Sequence, residues 1–176
     1  MAANLSLTGK ERTFRPDEII VSKTDRTGKI TYANDVFIEM SGYCEDELLG
    51  APHSILRHPA MPRCVFRLLW DVIEQGDEIF AYVLNRAKNG DEYWVFAHVT
   101  PNFGPDGAIV GYHSNRRVPK ASAVETVKPL YAQLLAMEQA NPDRKAGLEQ
   151  SYAALKATVG QLGFASYDQL IFAICR

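Results

Sequence analysis

Along the first two thirds of the chain, apolar residues fall in short, bounded blocks whose period changes from strand to helix and back. Residues 18–22 form an apolar run, Asp25-Arg26-Thr27-Gly28 carries a turn signal, and residues 29–32 read as a second strand. Together they predict a hairpin. The period then becomes helical. Asn34 suits the N-cap of a helix over 35–41, where Val36, Phe37 and Met40 share a face, and Gly42 suits its C-terminal end. A short helix over 45–49 closes at Gly50. Pro62 fits a first helical turn, and residues 63–75 carry Val65, Leu68, Leu69 and Val72 as an apolar stripe that stops at Gly76.

Alternation returns at residue 78. Residues 78–88 lead into Asn89-Gly90, the strongest short hairpin signal, and 92–103 form the return strand. Pro105-Asp106-Gly107 turns the chain into a last strand over 108–118. Two strands, several short helices and a three-stranded meander predict an α+β fold: a five-stranded antiparallel sheet with short helices on one face. Past Pro119 the composition shifts to Ala, Leu, Gln and Glu. Residues 124–139 and 144–159 are predicted helices split by Asn141-Pro142-Asp143, and 167–175 is a third apolar piece. Leu130, Leu134 and Met137 match Leu148, Tyr152, Leu155 and Val159 at the spacing of a helical hairpin. The organisation is thus an arm or cap over 1–14, a domain over 15–120 and a helical extension over 121–176.

Composition narrows the class. A chain of 176 residues with 47% hydrophobic residues supports one core plus an extension. A net charge of -2 offers no footprint for nucleic acid or anionic membrane. Cys44, Cys64 and Cys175 are odd in number and widely spaced, against a disulfide framework or zinc site. The start has no signal-peptide core, and no run approaches the ~18 apolar residues of a membrane helix, so the expectation is a soluble, cytoplasmic protein. There is no Gly-rich phosphate loop, no Ser/His/Asp motif and no paired carboxylates at a strand end. The chain is not expected to be an enzyme.

Candidate chemistry sits in two places. Arg57-His58-Pro59-Ala60-Met61-Pro62 puts a cation and an imidazole between helical segments, where neither has an obvious packing use. Arg57 offers a planar multidentate donor, and His58 a group that titrates near neutrality. On the strand over 79–87, Asn85 shares a face with Ile79, Ala81, Val83 and Ala87. Such a buried amide is either satisfied by nearby backbone or presents a donor–acceptor edge to a heterocycle. Ala81, Ala87 and Ala97 leave room there for a flat group.

These residues lead to a family. Ile-Thr-Tyr-Ala-Asn-Asp, Ser-Gly-Tyr, Glu-Leu-Leu-Gly, Lys-Asn-Gly-Asp-Glu-Tyr-Trp-Val and the late Gly-Tyr resemble a PAS domain over about residues 15–120. Ala33-Asn34-Asp35, Pro52-His53, Arg57-His58-Pro59, Met61-Pro62, Trp70 and Asn85-Arg86 are similar to the flavin-binding PAS domain of bacterial aerotaxis receptors. The resemblance implies non-covalent FAD and a redox or oxygen sensor, with Asn34, His53, Arg57, His58, Trp70 and Asn85 as cofactor-binding residues. Trp70 also reads as core, and Asn34 as the N-cap. Ala60 stands where the receptors carry an acid, and Ile79 where they often carry Trp.

No membrane segment or methyl-accepting coiled coil is visible, so a stand-alone sensor is expected, signalling as a homodimer or to a downstream protein. A light-sensing adduct would need a Cys on the helix before the long one, where Pro52-His53-Ser54 stands. Two alternatives remain. One is a haem sensor using His53, His58, His98 or His113; the other is a cofactor-free interaction module.

Overall fold

The β-rich half arranges its strands so that the last one lies at the centre. In this computed structural model, which describes residues 6–175, strands β1 (Ile20–Asp25), β2 (Ile30–Ala33), β3 (Ile79–Arg86), β4 (Glu92–Phe103) and β5 (Ile109–Arg117) form one antiparallel sheet. Their order is β2-β1-β5-β4-β3. The first strand runs later than its apolar run predicts, because Lys23, Thr24 and Asp25 keep pairing with His113, Tyr112 and Gly111. Backbone pairing, not hydrophobicity, sets that end.

Three helices and one 3-10 turn link β2 to β3. Helix α1 (Asp35–Ser41) is capped as its sequence requires: Asn34 Oδ1 accepts from the Phe37 N–H, and Gly42 at φ 70 returns its N–H to Ile38. Helix α2 (Glu45–Leu48) follows. The 3-10 turn His53–Leu56 has no counterpart among the predicted elements, since four residues carry too little periodicity to read. Helix α3 (Arg63–Ile73) ends two residues short of its predicted boundary.

The extension folds back onto the sheet as α4 (Ala121–Ala140), α5 (Arg144–Gln161) and α6 (Tyr167–Cys175). It covers the face opposite α3 and wraps the β3 edge. Trp94 stacks on Tyr131 at 6.3 Å. Tyr131 Oη, 2.8 Å from the Tyr82 carbonyl, also meets Tyr167 Oη at 2.7 Å. Asp168 accepts the Phe80 N–H at 3.0 Å, and the Arg57 backbone bridges to Asn85. Polar groups of an exposed strand edge are thereby satisfied by side chains of the extension and one short bridge. Buried Glu138 of α4 accepts from Arg63 N, Arg63 Nε, Cys64 N and Ser151 Oγ, joining α4, α5 and the start of α3.

Of the N-terminal segment, residues 1–5 lie outside the described residues, and the rest is a cap. Thr8 N–H donates to the Gly90 carbonyl, Thr8 Oγ1 to Asp91, and Arg12 Nη1 to the Met40 carbonyl. The cap explains Gly90: its φ is 92, and a Cβ there would meet the Ser6 carbonyl oxygen at 2.1 Å.

Candidate cofactor site

A cavity of about 400 Å³ lies between the sheet and α3, within the size range of small-molecule sites. Strand register builds its floor. Ser22 of β1 pairs with Ser114 of β5, which pairs with Val99 of β4, while Arg116 pairs with Ala97. Val83 and Asn85 extend the same face on β3, where Val83 pairs with Val95 and Asn85 with Tyr93. Small Ala97 at the centre keeps the floor low, as its size suggests from sequence.

The roof comes from α3 and the 3-10 turn. Phe66, Leu69, Trp70 and Ile73 face the cavity, at the i, i+3, i+4, i+7 spacing of one helix face. This corrects the predicted stripe. Leu68 and Val72 instead line a second hollow toward α5 and α6, because α3 is packed on two sides. Trp70 meets Tyr112 edge-on at 5.3 Å. Its indole lies against Gly28, where a Cβ would stand 3.0 Å from Trp70 Cζ2.

Four of the six sequence-derived residues meet here: His53, Arg57, Trp70 and Asn85 all line the cavity. Asn85 is 5% exposed, and its amide makes no side-chain hydrogen bond among the described residues. The backbone-satisfied alternative therefore finds no partner. Arg57 lies over the Phe66 ring at 4.2 Å with its Nε buried and unpaired. Burial lowers its pKa, against the pull of Glu138.

Asn34 and His58 are elsewhere. Asn34 is consumed by backbone: besides capping α1 it accepts from Val21 N and donates to the Ile19 carbonyl. His58 is buried beside β4, its Nδ1 accepting from Ala60 N and its Nε2 3.3 Å from Glu92, close enough for attraction but not aligned as a hydrogen bond. Burial lowers the His58 pKa and outweighs Glu92.

His53 is held by its neighbours. Its ring stacks on Phe37 at 5.9 Å, and Nε2 lies 3.2 Å from Ser22 Oγ. Arg116 Nη2 donates to that same hydroxyl, whose own proton is thereby free to be directed at His53 Nε2. Burial, helped by Arg116, pushes His53 down to about 3. A group kept neutral in the fold takes up its proton only on unfolding, so its stability contribution is lost as pH falls below the unfolded value. Between pH 7 and pH 5 this removes about 1–2 kcal/mol. Replacing His53 with Gln should flatten that slope in chemical denaturation at the two pH values.

Arg116 is a buried cavity residue that was not among the candidates from sequence. It is 2% exposed, lies over Phe37 at 4.7 Å, and leaves Nε and Nη1 without partners. Burial brings its pKa down to about 10, which leaves it cationic. The alternation Tyr112, Ser114, Arg116 was readable, but a polar inner face looks like an outer one when burial is inferred from polarity.

For the other chemistries, no cysteine lines the cavity. Cys64 is buried beneath Glu138 at the start of α3, where burial raises its thiol to about 11. Of the histidines considered for haem, His98 stacks on Phe80 on the opposite face at 4.1 Å, and His113 Nε2 pairs with Asn115 at 3.0 Å. Among the described residues no cluster of His, Cys, Asp and Glu could hold a metal ion, and no helix is long and apolar enough to cross a membrane.

Residues 30–116 match the PAS fold family. The chain is 38% identical over 134 residues to the aerotaxis receptor of Escherichia coli K12, covering 76% of this chain and 26% of the receptor. It therefore spans about a quarter of that relative's length. Among solved structures, a light-oxygen-voltage domain studied with a flavin analogue superposes with a TM-score of 0.55 at 22% identity, over 63% of this chain and 84% of its own. The light state of the Aureochrome1 LOV photoreceptor gives 0.52 at 27% identity, over 69% and 91%. Through residues 30–116, this chain belongs to the PAS family, is similar to an aerotaxis receptor and shares the fold of light-oxygen-voltage domains.

Proposed function

We propose that the domain binds a flavin, FAD, without a covalent bond in the cavity between β-sheet and α3, and reports redox state through it. The observation that carries this reading is a buried amide, Asn85, without a side-chain hydrogen bond among the described residues, in a cavity also lined by small Ala97 and by Trp70. An amide presents one donor and one acceptor side by side, which complements the imide edge of a flavin pyrimidine. Trp70 supplies an aromatic wall. The flavin supplies the electron chemistry; the chain's residues orient it and exclude water.

The same reading assigns an output to the extension. Glu138 joins α4 and α5 to the first turn of α3, whose other face roofs the cavity. A shift of α3 with flavin oxidation state is transmitted along that join and changes the contact between two copies of the chain, and through it a downstream signalling protein. Sedimentation of oxidised and reduced protein tests this output: identical association in both states refutes it.

The cofactor test is direct. Freshly purified protein should be yellow with flavin absorption bands, and the pigment released by heat should run as FAD rather than FMN on chromatography. Colourless protein that takes up neither sinks the reading. Asn85→Ala removes the matched edge and should weaken flavin binding at least tenfold, about 1.4 kcal/mol, in equilibrium titration.

A further inference from the structure

Among the described residues, the cavity is lined by two arginines and by no Asp or Glu. Arg57 is already engaged, stacked over Phe66 with the Glu138 carboxylate acting on it. Arg116 is not. Its surroundings are Ser22 from β1, Phe37 from α1, His53 from the 3-10 turn through its charge, and Tyr93 from β4. None of these is negative at neutral pH: His53 is held neutral, and burial pushes the Tyr93 hydroxyl well up. A buried guanidinium without a counter-charge is strongly destabilising, so a ligand that brings the missing charge gains what the apoprotein lacks.

We propose that Arg116 is the counter-charge for the reduced ligand, so that the bound flavin is reduced to an anion. This rests on the flavin reading above. Two electrons from a low-potential donor enter the oxidised flavin with one proton from solvent, giving the reduced flavin monoanion. The second proton is not taken up, because the Arg116 cation at the cavity wall, with no carboxylate beside it in the cavity lining, holds the charge. Arg116 itself keeps its proton throughout. Arg116 is thus a binding residue that favours the reduced over the oxidised cofactor.

The experiment is a dye-calibrated reductive titration with dithionite at several pH values, on wild type, Arg116→Gln, Arg116→Lys and free flavin. In wild type, the pH above which reduction takes up one proton instead of two should lie below that of free flavin. Arg116→Gln should move it back toward the free value. That variant should also lose at least tenfold in preference for reduced flavin, ~30 mV for a two-electron couple. Arg116→Lys keeps the charge without the planar fork and should recover part of the loss. Wild-type protein that takes up two protons over the same pH range as free flavin overturns the proposal. So does an Arg116→Gln variant that holds flavin with an unchanged potential. If Arg116→Gln does not retain flavin, the comparison of wild type with free flavin decides alone. Protein that binds no flavin at all refutes the flavin reading itself, a result distinct from bound flavin with free-flavin proton uptake.

Discussion

Glu138→Ala is expected to cost about 3–5 kcal/mol of folding stability, which lowers the melting temperature by about 10 °C. The carboxylate accepts four hydrogen bonds, two of them from N–H groups at the first turn of α3 that have no intrahelical partner. Alanine leaves those backbone donors without their acceptor and the partly buried Arg63 guanidinium without its counter-charge. The charge also makes the join sensitive to acid. Burial raises the Glu138 pKa, but hydrogen bonds from the two backbone N–H groups, Arg63 and Ser151 outweigh it, and the net direction is down. A carboxyl depressed in the fold stabilises above its unfolded pKa, and the contribution is lost as pH falls through the lower folded value. Wild type should therefore weaken in that acid window, below the usual carboxylate range, while Glu138→Gln shows no such step. A mutant melting within a degree or two of wild type would mean that this join adds nothing to the fold.

Leu155→Ala should cost about 2–5 kcal/mol, and it should do so for the whole molecule. Leu155 is fully buried in α5 and faces Leu68 and Val72 of α3 and Ile79 of β3 around the second hollow. Truncation enlarges that hollow and strips contacts from both halves of the chain. The buried residues of sheet, α3 and extension form one continuous core. Denaturant unfolding should accordingly remain a single transition whose midpoint shifts while its slope stays constant. If the extension were an independent unit, fluorescence from Trp70 and Trp94 would unfold at the wild-type midpoint while helical signal was lost early.

Much of the fold was legible because its signals are local. Asn34 and Gly42 bracket α1, Asn89-Gly90 turns β3 into β4, and the β4 boundaries follow from its bounding turns. The 3-10 turn was not legible, since four residues carry no period. Nor was the split of the α3 face between two hollows, because hydrophobic spacing says that a residue is buried but not what buries it.

The candidate site divides in the same way. Arg57, His53, Trp70 and Asn85 were found from motif and strand parity, and the fold brings them together. Asn34 and His58 share those motifs, yet their polar atoms are taken by the β1 backbone, by Ala60 and by Glu92. Arg116 was absent from the reading because nothing in Asn115-Arg116-Arg117 marks one arginine as buried and the next as exposed.

By itself the sequence determined the strands and α-helices, the PAS resemblance and which β3 face carries an amide, since caps, turns and alternation act between near neighbours. Only the tertiary structure decided that β5 lies at the sheet centre, that the extension closes the β3 edge, and that a carboxylate-free cavity surrounds Arg116. The physical reason is range. Helix caps and strand periods are fixed by residues a few positions apart, whereas the charge balance of a cavity depends on side chains as distant along the chain as Ser22 and Arg116.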